Sequence, residues 1–249
     1  MFHGRMGEAQ KNNMTKNITT PQRVLAVFAH PDDMDFSSAG TMAKWAKGGA
    51  DITYLVCTDG SKGSEDPKMT PVKLARIRKA EQETAAAVAG VKNVIILKHP
   101  DGELVVDHTL KEEITKAIRQ VKPDVVVTLD PTFLYSTKRG VINHSDHRAA
   151  GAATIDAVYP IARDRMNFPH HEKAGLAAHK TKMLMLVSWD DAEHFEDISS
   201  TLTTKIEALR AHASQVPEGF EKRVRERAAA LGKKANLRYA EGFKKIELS

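Results

Sequence analysis

Two short motifs in this chain combine histidine with aspartate at spacings that suit metal chemistry. The first is HPDD at residues 30–33, and the second is HSDH at residues 144–147. Hydrolytic zinc sites use imidazole nitrogens and carboxylate oxygens as ligands, usually three of them, and keep one position for water. Short motifs of this kind also occur by chance. An Asp-Asp pair or a His-Ser-Asp-His run can equally cap a helix.

The spacing within the two motifs allows metal binding and proton transfer to be divided between their residues. His30 and Asp33 can reach one ion if the chain turns between them, and Pro31 favours such a turn. A third ligand must come from elsewhere in the chain. His144 and His147 are the best candidates, because residues three apart at a helix start can face the same side. One of the two could bind metal while the other stays free for proton transfer.

Two aspartates of these motifs are then left for other roles. Asp32 could take a proton from a metal-bound water, whose pKa a bound ion lowers towards about 7. Asp146 could hydrogen-bond a histidine and fix its tautomer. On spacing alone, a metal site and simple helix capping stay equally open.

Hydrophobic patterning predicts the elements that would have to position these motifs. Short apolar runs typical of buried parallel strands lie at residues 24–29, 52–57, 94–97, 125–129 and 183–187. Helical spacing occupies residues 37–47, 71–89, 109–121, 146–158, 200–213 and 218–231. This alternation predicts an α/β fold, namely a Rossmann-like, doubly wound and mostly parallel sheet with helices on both faces.

Loops that contain aspartate follow four of the predicted strands. They begin at residues 30, 58, 99 and 130. In open α/β sheets, ligands bind in the crevice beyond the carboxyl ends of the strands. Turn chemistry accounts for some of the aspartates and glycines in these loops, but it does not account for the histidines. We therefore expect the functional site at this rim of the sheet.

Composition limits the classes of function that these motifs could serve. The chain has 249 residues, of which 41% are hydrophobic and 28% charged, as is typical of globular proteins. No apolar run reaches the roughly 18 residues of a membrane span, and the N-terminus has no apolar segment like that of a secretory signal. The single cysteine, Cys57, allows no internal disulfide and favours a cytoplasmic location.

The net charge of +5 raises the question of nucleic-acid binding. Residues 1–23 carry a surplus of three basic residues and residues 217–249 a surplus of four, which leaves the middle of the chain acidic. A phosphate-binding face would be expected on the central part as well. We therefore expect a small-molecule substrate, and neither a nucleic-acid nor a membrane partner.

The domain organisation predicted from the sequence is simple. Residues 1–22 mix Asn, Thr and Lys without any period, which predicts a flexible N-terminal extension. Residues 23–249 contain no internal repeat and no clear linker. They are expected to form a single domain that ends in a helical and basic C-terminal segment.

Taken together, the motifs resemble those of the LmbE-like, or PIG-L, N-acetylglucosaminyl de-N-acetylases. The resemblance spans residues 24–215 and follows the expected strand ends in order. It is carried by AHPDD at residues 29–33, an Arg-x-x-Glu element at Arg78 and Glu81, a turn at residues 101–102, HSDHRAAG at residues 144–151 and YAEGF at residues 239–243.

The resemblance implies a metal centre and a general base. A divalent ion, usually Zn²⁺, would be held by His30, Asp33 and His147. Asp32 would act as the general base. The implied fold is the same doubly wound α/β sheet that the hydrophobic pattern predicts.

The resemblance also implies a reaction and the roles of three further residues. His144 would be the cation that stabilises the oxyanion and protonates the leaving amine, Asp146 would tune His144, and Arg78 would contact the substrate. The reaction would be hydrolysis of an N-acetyl amide, typically on a GlcNAc-containing small molecule, with release of acetate and a free amine. A homo-oligomer is a further expectation, because family members often assemble.

The chain departs from the family pattern at three positions. Met34 stands where the family commonly has Glu, Ser145 where it commonly has Pro, and Ile142 where some members have a Tyr that assists the carbonyl. Tyr135, in the preceding loop, is the candidate to replace that tyrosine.

Two other functions stay open at this point. One is an amidase that acts on a non-sugar amide, such as a thiol conjugate or an antibiotic-like compound. The other is a non-catalytic metal-binding or sugar-binding protein of the same fold. The Met34 departure favours the second, whereas the presence of every proposed catalytic group argues against it.

Overall fold

The structure is a computed structural model, and it describes residues 19–249 except Lys138 and Trp189. Most of the predicted N-terminal extension, residues 1–18, thus lies outside the described residues. The strands are β1 (Arg23–Phe28), β2 (Asp51–Thr58), β3 (Asn93–His99), β4 (Val125–Leu129), β5 (Tyr135–Ser136), β6 (Val141–Ile142), β7 (Met183–Val187), β8 (His194–Asp197) and β9 (Ala240–Glu247). The helices are α1 (Asp33–Lys47), α2 (Pro71–Ala89), α3 (His108–Val121), α4 (Ser145–Asp156), α5 (Pro169–Lys173), α6 (Leu202–Arg210) and α7 (Phe220–Lys234).

The main sheet has seven strands in the order β3-β2-β1-β4-β7-β9-β8. The first five strands of this order are mutually parallel, and β9 runs antiparallel to both β7 and β8. The predicted doubly wound and mostly parallel α/β fold is confirmed. Strand β1 lies near the middle and is buried along residues 24–28, as its continuous apolar run predicts.

The helices pack in two groups around the sheet. Helices α1, α2 and α6 contact one another, whereas α3 contacts α4 and the π-helical turn Ala157–Ile161 that follows it. Parallel strands need such crossover helices, which cover the apolar faces of the sheet. Within the described residues, none of these helices is both long and apolar enough to cross a membrane.

Local signals explain why α2 has the boundaries that the sequence predicts. The Thr70 hydroxyl caps the helix by accepting a hydrogen bond from the Lys73 backbone N–H at 3.3 Å, and Pro71 occupies the first turn. Gly90 ends the helix in the left-handed conformation, with φ at 78°.

Helix α1 begins at Asp33, four residues before the predicted start at Ser37. The carbonyl of Asp32 already accepts hydrogen bonds from the N–H groups of Asp35 and Phe36, so the HPDD motif itself opens the helix. Asp33 and Asp35 lie in the first turn, where acidic side chains interact well with the helix dipole. One half of the predicted metal motif is therefore held by a strand end and the other half by a helix start.

A close approach of α4 to the end of β4 brings the two motifs together. A Cβ atom on Gly151 would lie 2.3 Å from the carbonyl oxygen of Leu129, so only glycine allows this contact. Because Gly151 lies four residues after His147, the contact fixes the start of α4 near the carboxyl ends of the parallel strands.

Candidate metal centre

His30, Asp33 and His147 converge at the carboxyl edge of the sheet. His30 follows β1, Asp33 is the first residue of α1, and His147 lies in the first turn of α4. The Asp33 carboxylate contacts both rings, with Oδ2 at 3.3 Å from His30 Nδ1 and Oδ1 at 3.1 Å from His147 Nε2. One ligand atom from each residue lies within 4.8 Å of the others. This is a donor set of two imidazoles and one carboxylate, as hydrolytic zinc sites use.

The far nitrogen of each histidine has its own hydrogen-bond partner. His30 Nε2 lies 3.2 Å from Asp146 Oδ2 and 3.3 Å from Asp101 Oδ1. His147 Nδ1 lies 3.1 Å from Asn143 Oδ1. Because these partners are acceptors, the far nitrogens carry the protons, and the lone pairs of the near nitrogens face Asp33 when the rings are neutral. Neutral rings and a carboxylate that face one another in this way share a cation, either a proton or a metal ion, and metal-ligating histidines are oriented by the same kind of outer bond.

The charges around His30 favour a bound cation. Burial disfavours the charged ring, but Asp33, Asp101 and Asp146 together raise the pKa of His30 to about 12. Burial likewise opposes ionisation of Asp33, yet His147 and His30 hold the pKa of this carboxyl well below its usual range. The centre therefore concentrates negative charge at a point where two imidazoles and a carboxylate can coordinate.

Asp32 lies beside this group without facing the histidines in the same way. Its carboxylate Oδ2 is 3.4 Å from Arg78 Nη2. Burial and the neighbouring charge of Asp33 raise the pKa of Asp32 to about 7, although Arg78 opposes the shift. Two adjacent carboxyls with opposite pKa shifts are typical of sites that separate a charged ligand from a proton acceptor.

His144 lies at the edge of the centre. Its ring packs edge-on against His30, with 4.7 Å between the ring centroids, and about half of its side chain is buried. Its Nδ1 accepts a hydrogen bond from the Asp146 backbone N–H at 3.1 Å. Burial, followed by the nearby charge of His30, lowers the pKa of His144. The neutral ring therefore carries its proton on Nε2, which can act as a hydrogen-bond donor.

The Asp146 carboxylate lies closer to His30 than to His144. It is fully buried, and it accepts hydrogen bonds from the backbone N–H groups of Gly102 at 2.7 Å and Leu104 at 3.2 Å. Its distance to the His144 ring nitrogen is 3.9 Å, against 3.2 Å to His30. The structure thus places this side chain behind the predicted metal ligand His30.

Arg78 is buried beneath the centre. Its guanidinium donates hydrogen bonds to the carbonyls of Gly60 at 3.0 Å and Pro31 at 2.6 Å, and it lies 3.8 Å from Asp101. Gly60 has φ at 64°, and a Cβ atom there would lie 2.8 Å from Pro31 Cδ and 3.0 Å from the guanidinium, which explains the glycine. These contacts tie three loops together, and a contact between Arg78 and substrate stays a prediction.

The three departures from the family pattern lie in different environments. Met34 is fully buried in the main hydrophobic core. Ser145 is the first residue of α4, and its hydroxyl lies 3.4 Å from Asp146 Oδ1. Ile142 is 81% exposed and pairs across the small β5–β6 hairpin with Tyr135, which is 60% exposed. The hairpin leads directly into the HSDH motif, so Tyr135 lies on the same rim as the centre.

A cavity of about 250 Å³ adjoins the centre beyond the ends of β4 and β7. It shares Asn143 with the centre, and its walls include Tyr135 from the hairpin and Asp130, which accepts a hydrogen bond from Lys244 Nζ at 2.7 Å. Its place next to the His147 partner Asn143 makes it a candidate for the remainder of a substrate.

A second group of possible metal ligands lies on another part of the surface. Glu112 Oε1 is 2.6 Å from His170 Nε2 and 3.4 Å from His171 Nε2. The other nitrogen of His171, Nδ1, lies 3.4 Å from the Arg119 guanidinium, which can only donate. The neutral His171 ring therefore carries its proton on Nε2 and donates it towards Glu112. This group is explained by hydrogen bonding and makes a poor metal site.

Three residues near the centre received no role from the sequence. Asp101 is the second acceptor of His30, Asn143 orients His147, and Gln82 accepts a hydrogen bond from the Asp32 backbone N–H at 2.8 Å. Asp101 follows a predicted strand, which is a usable signal. Asn143 and Gln82 carry no such signal, because their roles depend on contacts that only the folded chain creates.

The fold and the site together define an α/β protein with a candidate metal centre at the carboxyl edge of its parallel sheet. A family model described as "PIG-L: GlcNAc-PI de-N-acetylase" matches residues 25–158, which include both motifs. The chain belongs to this family.

Relatives with named activities cover most of the chain. Diacetylchitobiose deacetylase of Thermococcus kodakarensis is 34% identical over 228 residues, which make up 90% of this chain and 82% of that protein. A probable N-acetyl-alpha-D-glucosaminyl L-malate deacetylase 2 of Bacillus anthracis is 28% identical, over 78% of this chain and 81% of that protein.

A solved structure resembles this fold closely. It is N,N'-diacetylchitobiose deacetylase from Pyrococcus horikoshii, complexed with its inhibitor MPG, and it superposes with a TM-score of 0.86 at 28% identity. The match covers 96% of this chain and 89% of that chain.

Proposed function

We propose that this protein is a metal-dependent deacetylase that hydrolyses the N-acetyl amide of a small GlcNAc-type substrate. The ion, Zn²⁺ in the first instance, would be held by His30, Asp33 and His147. One observation carries the proposal: the outer hydrogen bonds of both histidines turn their near nitrogens towards the carboxylate of Asp33. The names of the relatives support acetylated amino sugars as the substrate class.

The ion, when bound, would supply Lewis-acid polarisation of the amide carbonyl and lower the pKa of water towards about 7. All further chemistry falls to side chains of this chain. Asp32 is suited to accept a proton from the attacking water, because its carboxylate is partly buried beside Arg78 and its pKa is raised to about 7. A base with this pKa is ionised in a large fraction of molecules near neutral pH.

His144 is suited to stabilise the negative charge on the carbonyl oxygen. Its Nδ1 is occupied by the Asp146 backbone N–H, so its Nε2–H is the free donor of the ring. The water oxygen adds to the carbonyl carbon, the carbon–nitrogen bond breaks, and the proton first taken by Asp32 returns to the leaving nitrogen. The products are acetate and a free amine. Protonation of the leaving amine by His144 stays a further hypothesis, because its lowered pKa favours the neutral ring.

The outer residues would hold the ligands in place. Asp146 and Asp101 fix the His30 ring, and Asn143 fixes the His147 ring. Such partners usually affect metal affinity and activity by about 10- to 100-fold. Arg78 would keep the loops that carry Asp32 and Asp101 at the right distance and, if the substrate reaches it, contact the sugar.

The test is release of free amine from N,N'-diacetylchitobiose, from GlcNAc and from a GlcNAc–malate conjugate, with the purified protein and added Zn²⁺. We expect release from at least one of them. Asp32→Asn serves as the matched control, because it removes the base and leaves the three proposed ligands unchanged. Its turnover should fall by about 10²- to 10⁴-fold while its metal content stays that of the parent.

Two results would count against the proposal. Parent-like turnover of Asp32→Asn would show that Asp32 is not the base. A protein that binds metal in stoichiometric amount and yet releases no amine from any of the three compounds would favour a non-sugar amide or a non-catalytic binding role.

A further inference from the structure

The backbone of Asp32 adopts a conformation that side-chain-bearing residues rarely use. Its φ is 99° and its ψ is −31°. L-residues other than glycine avoid positive φ, and such conformations persist only where the surroundings hold them. The main chain at Asp32, the proposed base, therefore has to be stabilised by contacts with other parts of the structure.

That support comes from Gln82 on helix α2. The Asp32 N–H donates to Gln82 Oε1 at 2.8 Å, and the Gln82 amide Nε2 donates to Asp35 Oδ2 at 2.8 Å. Gln82 is fully buried. The two partners demand the same orientation of the amide, because a backbone N–H needs an acceptor and a carboxylate needs a donor. The Gln82 side chain is thus locked at both ends.

His212 completes the set from the segment that follows helix α6. Its Nε2 lies 2.9 Å from the same oxygen, Asp35 Oδ2, and both side chains are fully buried. The segment around His212 is itself tied to α2, since Ser214 donates hydrogen bonds to the Glu81 carboxylate at 2.8 and 2.7 Å. Asp35 is therefore held from two directions by residues distant in sequence.

We propose that Gln82, supported by Asp35 and His212, is a positioning residue for Asp32. The inference rests on the proposed function, in which Asp32 is the base. In this proposal, Gln82, Asp35 and His212 contact neither the metal nor the substrate. Their role is to hold the main chain of Asp32 so that its carboxylate stays beside Arg78.

The three side chains form a chain of buried contacts that ends at the Asp32 backbone. Among the described residues, nine buried side-chain atoms have no hydrogen-bond partner, and Asp35 Oδ1 and His212 Nδ1 are two of them. Unsatisfied buried polar atoms destabilise a fold, and a helix start can be capped without them. Of these three buried polar side chains, Gln82 bonds the Asp32 N–H directly, Asp35 bonds Gln82, and His212 bonds Asp35.

The decisive variant is Gln82→Met, which has nearly the same length and removes both hydrogen bonds. With N,N'-diacetylchitobiose as substrate and Zn²⁺ present, we expect kcat to fall by about 10- to 100-fold, while KM and metal content stay at the parent values. Should this variant fail to fold, Gln82→Leu takes its place, because leucine also removes both hydrogen bonds, and it should lower kcat in the same manner.

Asp35 offers a conservative partner experiment. In Asp35→Asn the amide oxygen can occupy the position of Oδ2 and keep both hydrogen bonds, and the new NH₂ group falls where Oδ1 has no partner. This variant should retain most of the parent kcat, whereas Asp35→Leu should lose as much as Gln82→Met. Thr154→Val controls for loss of a buried hydrogen bond elsewhere, since the Thr154 hydroxyl donates to the Ala150 carbonyl within α4.

A double-mutant cycle separates positioning from general damage. If Gln82 acts through Asp32, then Gln82→Met added to Asp32→Asn should lower kcat no further. Equal further loss in both backgrounds, or a loss of kcat only together with loss of metal, would overturn the positioning role. Failure of the proposed function looks different, because the parent would then release no amine, or Asp32→Asn alone would keep the parent rate whatever Gln82→Met does.

Discussion

Two regions of this molecule bury charged side chains, and they do so in different ways. Next to the antiparallel strand β9, Lys205 and Glu241 form a buried ion pair. Lys205 Nζ also donates to the Phe36 carbonyl, and the two oxygens of Glu241 accept the backbone N–H groups of Gly40 and Thr41. Each charge there has an opposite charge and further hydrogen bonds, as a structural pair requires.

The carboxyl edge of the parallel sheet lacks this balance. Four carboxylates gather around His30 and Arg78, namely Asp32, Asp33, Asp101 and Asp146. The near nitrogens of His30 and His147 point at a carboxylate and not at a donor. Burial of charge alone therefore does not indicate function. A surplus of negative charge, together with ligand atoms that are directed at one point, does indicate function.

The largest effect should come from breaking the ligand set. His147→Ala is expected to lose both the bound metal and all measurable turnover, because only two proposed ligands remain. His170→Ala is the matched control, since His170 is also bonded to a carboxylate but belongs to the hydrogen-bonded group at Glu112. Metal analysis and amine release check both variants. If His170→Ala lost the metal and His147→Ala kept it, the metal site would lie at Glu112, His170 and His171 instead.

Loss of the buried Lys205–Glu241 ion pair should lower the stability of the protein. Glu241→Leu leaves Lys205 buried without its partner, and we expect the free energy of unfolding to fall by about 3–5 kcal/mol. Denaturant titration measures this loss. Glu247→Gln on the same strand is the control and should unfold close to the parent midpoint, because Glu247 is exposed. Metal binding to folded Glu241→Leu should match the parent, and weaker binding would show that the two regions are coupled.

A smaller effect on metal affinity is expected from Asp146, which contacts the proposed ligand His30. Asp146→Asn should weaken metal binding by about 10- to 100-fold, because the carboxylate holds the His30 ring. Asp130→Asn is the matched control at the next strand end, where the aspartate bonds to Lys244 and Thr132. A metal titration followed by calorimetry compares them. If Asp146→Asn changed turnover through His144 and left metal affinity intact, the role implied by the family resemblance would be correct instead.

The smallest effect is expected at Tyr135. Loss of an oxyanion donor typically costs about 10²- to 10³-fold in kcat. Tyr135 is largely exposed on the β5–β6 hairpin, and Tyr135→Phe should lower kcat far less than that. Steady-state kinetics with Ile142→Ala as the control from the opposite strand would decide. A loss of the full size would place the Tyr135 hydroxyl at the reacting carbonyl.

The sequence predicts the parallel half of the fold well because its signals are local. Helix α2 carries its own cap, its proline and its final glycine, and strands β4 and β7 have the predicted bounds. The antiparallel strands β8 and β9 are missing from the prediction. Strand β9 contains a buried glutamate whose partner, Lys205, lies far away in sequence, so its pattern does not resemble that of a buried strand.

The candidate site also contains residues with a local sequence signal and residues without one. The motifs HPDD and HSDH stand out in the sequence because they combine histidine with aspartate beyond predicted strands, and their roles at a metal stay predictions. The residues that orient them cannot be predicted in this way. Gln82 lies 50 residues from Asp32, and Asp146 lies 116 residues from His30, and each acts through a contact that only the packed sheet creates.

Removal and return of the metal tests the central claim most directly. The protein would be stripped with a chelator, checked for loss of metal, and assayed for amine release from N,N'-diacetylchitobiose before and after titration with Zn²⁺. We expect turnover to disappear on stripping and to return as about one equivalent of the ion binds, in the parent but not in His147→Ala. Amine release by the stripped protein at the parent rate would contradict a deacetylase that depends on a metal ion bound by His30, Asp33 and His147.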